Sequence, residues 1–401
     1  MAGLVAAGLA ACMHAPPPIS DFAAAAMSRA AQIRAERMNA VSAQRNIPVP
    51  RDFERLMAAG ARADWPAVSN AYARIWPRSH QYENTTPDPR IATELWNPVH
   101  ETYWISHYFA EGWTPELAKN YCAALLDDLP SHSVVFAGSD ASRFVAAPLA
   151  ENGWRPDLFF ISPNALADSL YVDYLEDVYG NRLWIPNPEQ RAAAFQRGIE
   201  EANARHASGI QREDAKITID GVRGLMEINA ALAEDIFREN QAAHRFFLDE
   251  GYALLRLYPY LKPCGLLMEL HPAPIPSISD EEIAADAAYW KKTEDRLWAT
   301  PGFGANEVAR MTYAIMRTGI ARLYAYHHRE EAAESAFRQA MRLAPHVCNA
   351  HFDYAYFVLV PRGEIGKAIE ILGQLVEKYP AGREYREFLE RLKAVRNQRA
   401  D

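Results

Sequence analysis

Six residues near the C-terminus recur in the same order one repeat later, and this periodicity limits the fold more than any other feature of the chain. Ala321, Tyr324, Ala333, Phe337, Ala340 and Pro345 are spaced 3, 9, 4, 3 and 5 apart. Ala355, Val358, Ala368, Leu372, Leu375 and Pro380 repeat that order, shifted by 34 at the first two positions and by 35 at the rest. The inserted residue falls in the turn Pro361-Arg362-Gly363-Glu364. Spacings of 3 and 4 put side chains on one helix face, and the long gap leaves room for a turn between two helices. The small alanines let paired helices approach closely, while Tyr324, Phe337 and Leu372 fill the space between them. Such a pair cannot bury its apolar face alone, so neighbouring pairs must stack. Ser279-Asp280-Glu281-Glu282 opens the region as a capping box. Helices over 281–299 and 305–319 are expected to supply a degenerate extra pair, and Glu384 to Arg396 a polar-faced closing helix.

The pattern over about 314–382 resembles the tetratricopeptide repeat. That resemblance implies an α-solenoid over 278–401 with a concave surface that binds a protein or peptide. An ordinary antiparallel helix bundle remains the alternative and is equally helical.

The texture upstream differs. Phe22 to Arg45 is rich in good helix formers and ends before Asn46-Ile47-Pro48. Phe53, Leu56, Met57 and Ala61, then Trp65, Val68, Tyr72 and Ile75, recur at helical spacing, a looser echo of the C-terminal hairpins. Thr114-Pro115 starts a helix that should run to about Leu129. Short apolar runs then alternate with helices: Ser133 to Ala137, Asp157 to Ile161, Arg182 to Ile185, Lys216 to Ile219, His244 to Leu248 and Gly265 to Leu270. Helices are expected over Ser169 to Tyr179, Asn187 to about His206, Gly224 to Glu239 and Tyr252 to Leu261. Continuous apolar runs between helices predict a buried parallel sheet. The expected fold is therefore an α/β central domain, mostly parallel and Rossmann-like in three layers, flanked by α-helical segments and followed by the C-terminal solenoid. The divisions are 1–18 signal and tether, 19–114 helical segment, 115–272 α/β domain and 278–401 repeat domain, with the proline-rich 271–276 as linker.

Residues 125–180 carry a second resemblance. Asp128-Leu129-Pro130 leads into Val134-Val135-Phe136, then Gly138-Ser139-Asp140, and Arg155-Pro156-Asp157 precedes Leu158-Phe159-Phe160. This order is similar to the soluble region of bacterial membrane proteins related to protein O-mannosyltransferases, in which tetratricopeptide repeats often follow. The multi-pass portion where glycosyl transfer takes place in that family has no counterpart in this chain. Transferase activity is therefore not implied.

Acidic residues outnumber basic ones, 51 to 42, and the net charge is −9. That balance argues against a general nucleic-acid partner. No apolar run reaches the length of a membrane span. The N-terminal Leu9-Ala10-Ala11-Cys12, followed by Pro16-Pro17-Pro18, reads as a lipoprotein signal with Cys12 as the lipidated residue, although no Lys or Arg precedes Arg29. A truncated membrane segment and a plain alanine-rich helix are the two competing readings. Cys122, Cys264 and Cys348 form no C-x-x-C and suit buried small hydrophobes.

Ligands of open α/β sheets sit beyond the strand ends. Asp140, Arg143 and Asn164 are the ligand-binding candidates there, suited to a sugar or a phosphate-like group. Asn164 also suits a simple turn, and Ser139, Asp140 and Asp168 suit helix caps. Phosphate-loop, nucleophile-elbow, dinucleotide and zinc-protease motifs are missing, so neither catalytic residues nor a metal or cofactor is expected. The leading expectation is a non-catalytic interaction protein of the bacterial cell envelope, binding a protein or peptide through its repeats. The alternative is a ligand-binding or sugar-modifying α/β enzyme, accessory to envelope glycosyl transfer, using the cluster around Asp140.

Overall fold

The computed structural model describes residues 19–79, 87–205, 212–213, 216–217, 221–250, 252, 254–380 and 382–398. The signal reading at Leu9 to Cys12 and the proline tether lie outside these residues, as do Ile219 and the side chain of Cys348.

Four helices form an N-terminal bundle: α1 (Asp21–Arg45), α2 (Arg51–Ala61), α3 (Trp65–Ser79) and α4 (Trp96–His107). Ser20 caps α1 by accepting from the Ala23 amide at 3.2 Å, and Asn46 ends it in the left-handed region at φ 53°. A π-helical turn, Tyr108–Gly112, extends α4. Tyr72 and Tyr103 stack at 3.7 Å inside the bundle. Trp104 stacks on Phe144 at 6.0 Å and so joins the bundle to the next region.

That region begins with α5 (Pro115–Leu126), capped by Thr114, which accepts from the Leu117 amide at 3.3 Å. Strand β1 (Val134–Ala137) follows, then a helical run in which two π-helical turns, Ser142–Ala146 and Ala150–Trp154, flank the short α6 (Ala147–Leu149). Next come β2 (Phe159–Ile161), α7 (Ser169–Tyr179), α8 (Pro188–Arg205), the small antiparallel pair β3 (Arg212–Glu213) and β4 (Lys216–Ile217), and α9 (Gly221–Asn240). Strand β5 (Phe246–Asp249) leads through 3-10 turns at Leu255–Tyr260 into β6 (Leu261–Cys264) and β7 (Leu267–Leu270).

The main sheet has the order β2-β1-β5-β7-β6. Strand β1 runs parallel to β2 and β5, whereas β7 is antiparallel to both β5 and β6. The expected three-layer, mostly parallel, Rossmann-like domain is therefore corrected: the chain forms a small mixed sheet inside a mostly helical protein. The physical reason lies in burial. Strands covered on both faces read as continuous apolar runs whichever way they point, and all four residues of β5 are buried. Direction is set by the connections. Gly265, at φ 64°, lets the chain reverse between β6 and β7 within two residues. The helix expected over Tyr252 to Leu261 gives way to 3-10 turns around Pro259, which lacks an N–H to donate. The run Arg182 to Ile185 joins no strand.

The C-terminal region contains α10 (Asp280–Ala299), α11 (Glu307–Tyr326), α12 (Glu330–Leu343), α13 (Cys348–Tyr354, extended by a π-helical turn at Ala355–Leu359), α14 (Ile365–Lys378) and α15 (Arg383–Gln398). The Ser279–Glu282 capping box is present at the start of α10. Ala321, Tyr324, Ala333, Phe337, Ala340, Ala355, Ala368, Leu372 and Leu375 are all buried. Pro345 and Pro380 lie exposed just past the ends of α12 and α14. The segment 305–319 is not a separate helix. It is the beginning of α11, because Asn306 caps the helix there, accepting from the Ala309 amide at 2.8 Å.

Helix α11 lies against the sheet at Gly319, where an added Cβ would sit 3.4 Å from both the Glu250 side chain and Met268. Among the described residues, no helix is long and apolar enough to cross a membrane.

Candidate functional site

Parallel β1 and β5 end side by side, with Ala137 opposite Asp249. The next residues close over this point. The Ser139 amide donates to Asp249 Oδ2 at 3.3 Å, and its hydroxyl donates to the same oxygen. The Ser142 amide donates to Ser139 Oγ at 3.3 Å, and Tyr121 shares a 2.7 Å hydrogen bond with Ser142 Oγ. Burial pushes the Asp249 carboxyl up, against the Ser139 and Ser142 hydrogen bonds that favour its charge. Ser139 and Asp249 are only 6% and 1% exposed, so no substrate reaches the pair without opening the fold.

The three ligand candidates from the sequence diverge from this plug. Asp140 is exposed and accepts from the Tyr108 hydroxyl at 3.1 Å. Behind it, burial lowers the His107 pKa, and the Glu111 and Asp140 charges pull it back up. Asn164 acts as a clamp: its Nδ2 donates to the Gly138 carbonyl at 2.7 Å, and its backbone carbonyl accepts from Asn229 Nδ2 at 3.2 Å. Asp168 caps α7, accepting from the Leu170 amide at 3.0 Å. Arg143 turns to the other side, over the rings of Phe144 and Tyr171 at 4.9 and 5.6 Å.

Arg143 there lines a cavity of about 30 Å³ between α1 and the ends of β1 and β2, together with Arg34, Arg37, Glu101, Glu151 and Tyr174. Arg34 Nε donates to Glu101 at 3.1 Å, Arg34 Nη1 donates to Glu151, and Arg37 donates to Glu151 at 2.8 Å. Burial opposes the Glu151 charge, but the two guanidiniums outweigh it and hold its pKa below the usual carboxylate range. Burial raises the Tyr174 phenol. Tyr174 Oη and Arg143 Nε are both buried without a hydrogen-bond partner. Arg34, Arg37, Glu101, Glu151 and Tyr174 had no local signature in the sequence. An arginine pair on an alanine-rich helix was the sole hint.

A different cluster joins the C-terminal helices to the sheet region. Arg322 on α11 donates through Nε to Asp353 on α13 at 2.7 Å and lies 3.5 Å from Glu250. Tyr258 Oη and the Leu254 amide donate to Glu250, each at 2.7 Å. The α11 surface at Gly319 and Arg322 thus lies against Glu250 and Met268 of the sheet region. Further along the stack, Phe352 lies 5.4 Å from both Tyr385 and Phe388 and stacks on Tyr356 at 6.1 Å. Arg391 sits over Phe388 at 5.6 Å.

Cys122 is buried, as expected, but Cys264 is exposed at the end of β6. Among the described residues no group of three His, Cys, Asp or Glu side chains could hold a metal ion. Comparison of the chain with protein families, curated proteins and solved structures finds no match in any of the three.

Proposed function

We propose that the chain is a non-catalytic recognition protein that binds a protein or peptide on the outer half of its C-terminal helical stack. One observation carries this reading: the aromatic cluster of Phe352, Tyr356, Tyr385 and Phe388, with Tyr356 left 41% exposed. Aromatic side chains with arginine beside them supply large contact area at low entropic cost, which is why they anchor interfaces. The inner face of α11 is spent on the sheet, so the partner is assigned to α13 and α15 rather than to a groove along the whole stack. The envelope placement rests on Leu9-Ala10-Ala11-Cys12 alone.

The test is a photo-crosslinking residue placed at 356 and, as control, at exposed Glu331, in cells producing the full chain. A discrete adduct from position 356 that position 331 does not give is the expected result. Equal labelling from both positions, or none from 356, overturns the reading.

A further inference from the structure

We propose that the cavity lined by Arg34, Arg143 and Tyr174 binds the carboxylate of a small monoanion with an apolar tail. Three features converge on one space. Arg143 Nε and Tyr174 Oη are buried donors with no partner, although buried polar groups are almost always paired. Both line the same cavity. Tyr174 is only 3% exposed, so its hydroxyl does not turn to bulk water for a partner.

Charge selects the ligand class. Arg34, Arg37 and Arg143 carry three positive charges, and Glu101 and Glu151 carry two negative ones, which leaves one positive charge in excess. Arg34 and Arg37 are committed to those glutamates, while Arg143 pairs with no carboxylate among the described residues. A singly charged oxyanion cancels the excess, and a doubly charged phosphate overshoots it. Size agrees. A space of about 30 Å³ holds one or two waters by the usual measure, and the two oxygens of a carboxylate replace them. One oxygen accepts from Arg143 and the other from Tyr174, an arrangement in which charge-assisted hydrogen bonds are short and strong.

The tail has its own place. A surface cleft of about 220 Å³ adjoins the cavity and shares Arg37 and Val178 with it as walls. Ala40 and Val41 of α1 give it an apolar side together with Val178, whereas Gln44, Asp177 and the guanidinium ends of Arg37 and Arg182 make the rest of its lining polar.

Calorimetry on the full chain at pH 8.5, where inorganic phosphate is almost wholly the dianion, tests the proposal with octanoate, acetate, 1-octanol and inorganic phosphate. Octanoate is expected to bind, acetate more weakly, and octanol and phosphate not measurably. Tyr174→Phe and Arg143→Gln should each weaken octanoate binding by about tenfold, the usual loss for one charge-assisted hydrogen bond. Tyr174→Phe removes a hydroxyl that bonds no protein group, so its melting temperature without ligand should stay close to the wild-type value. That variant keeps the test valid if Arg143→Gln fails to fold. No binding of octanoate, octanol binding as well as octanoate, phosphate binding more tightly, or unchanged affinity in Tyr174→Phe would each overturn the assignment.

Discussion

Two buried arginine clusters tie helical segments together beside the same sheet, and they differ in how fully their polar atoms are used. At the C-terminal cluster, Arg322 is shared between Asp353 and Glu250, and Glu250 also accepts from Tyr258 and the Leu254 amide. None of these side chains has a buried polar atom left over. At the N-terminal cluster, Arg34 and Arg37 meet Glu101 and Glu151, yet Tyr174 Oη and Arg143 Nε remain unmatched beside an open space. A closed network fixes two layers relative to one another. An open one holds donors in reserve, and the fold bears their desolvation whether or not a ligand arrives.

The largest effect should come from the closed cluster. Arg322→Met leaves Glu250 and Asp353 buried without their cation, and should cost about 3–5 kcal/mol in denaturant unfolding. A loss under about 1 kcal/mol would mean that the C-terminal helices do not depend on this bridge. The same edit made at both clusters sharpens the contrast. Tyr258→Phe deletes a 2.7 Å hydrogen bond to Glu250 and should cost about 1.5–3 kcal/mol. Tyr174→Phe should shift stability by less than about 0.5 kcal/mol, since its hydroxyl has no protein partner to lose. Equal losses would erase the distinction between the two clusters.

The smallest expected effect is a pair of opposite slopes with pH. Glu151 has a lowered pKa in the folded chain, so the unfolded chain takes up the proton first as pH falls. Its contribution is present above the ordinary carboxylate value and fades as pH drops through the folded value. Burial raises the pKa of Glu250 despite Arg322, so its contribution is present below the ordinary value and is lost as pH rises through the folded one. Glu151→Gln should flatten the stability profile on the acid side, and Glu250→Gln on the side above the ordinary carboxylate range. Urea midpoints across pH read both slopes, and slopes of the same sign would contradict the assignment.

Helices were the legible part of the sequence because their signals are local: Thr114 and Ser279 each cap within three residues. Tertiary pairing decided the rest. Nothing within Phe246–Asp249 tells whether Leu267–Leu270 will run with it or against it, and β6, containing Pro263, gave no strand pattern. The candidate site followed the same rule. Arg143 could be named from its place after a strand, but its companions come from α1, α4, the π-helical turn Ala150–Trp154 and α7, brought together by packing with no common spacing. Asn164 had the right location and a different task, holding backbone in place.

The proline-rich stretch between the sheet and α10 has one more consequence. In sequence it looks like a seam, yet the His271 amide donates to the Tyr260 carbonyl and the Ile275 amide to the Pro259 carbonyl, both at 2.8 Å, and Ile278 is fully buried. Together with Arg322 reaching across to Glu250, this makes the C-terminal helices poor candidates for transplantation. A recombination event that moved residues 278–401 into another gene would deliver a helix with its inner face stripped and a buried cation without its anion. The C-terminal helices therefore depend on the sheet for a buried partner and do not separate from it cleanly at the proline-rich stretch.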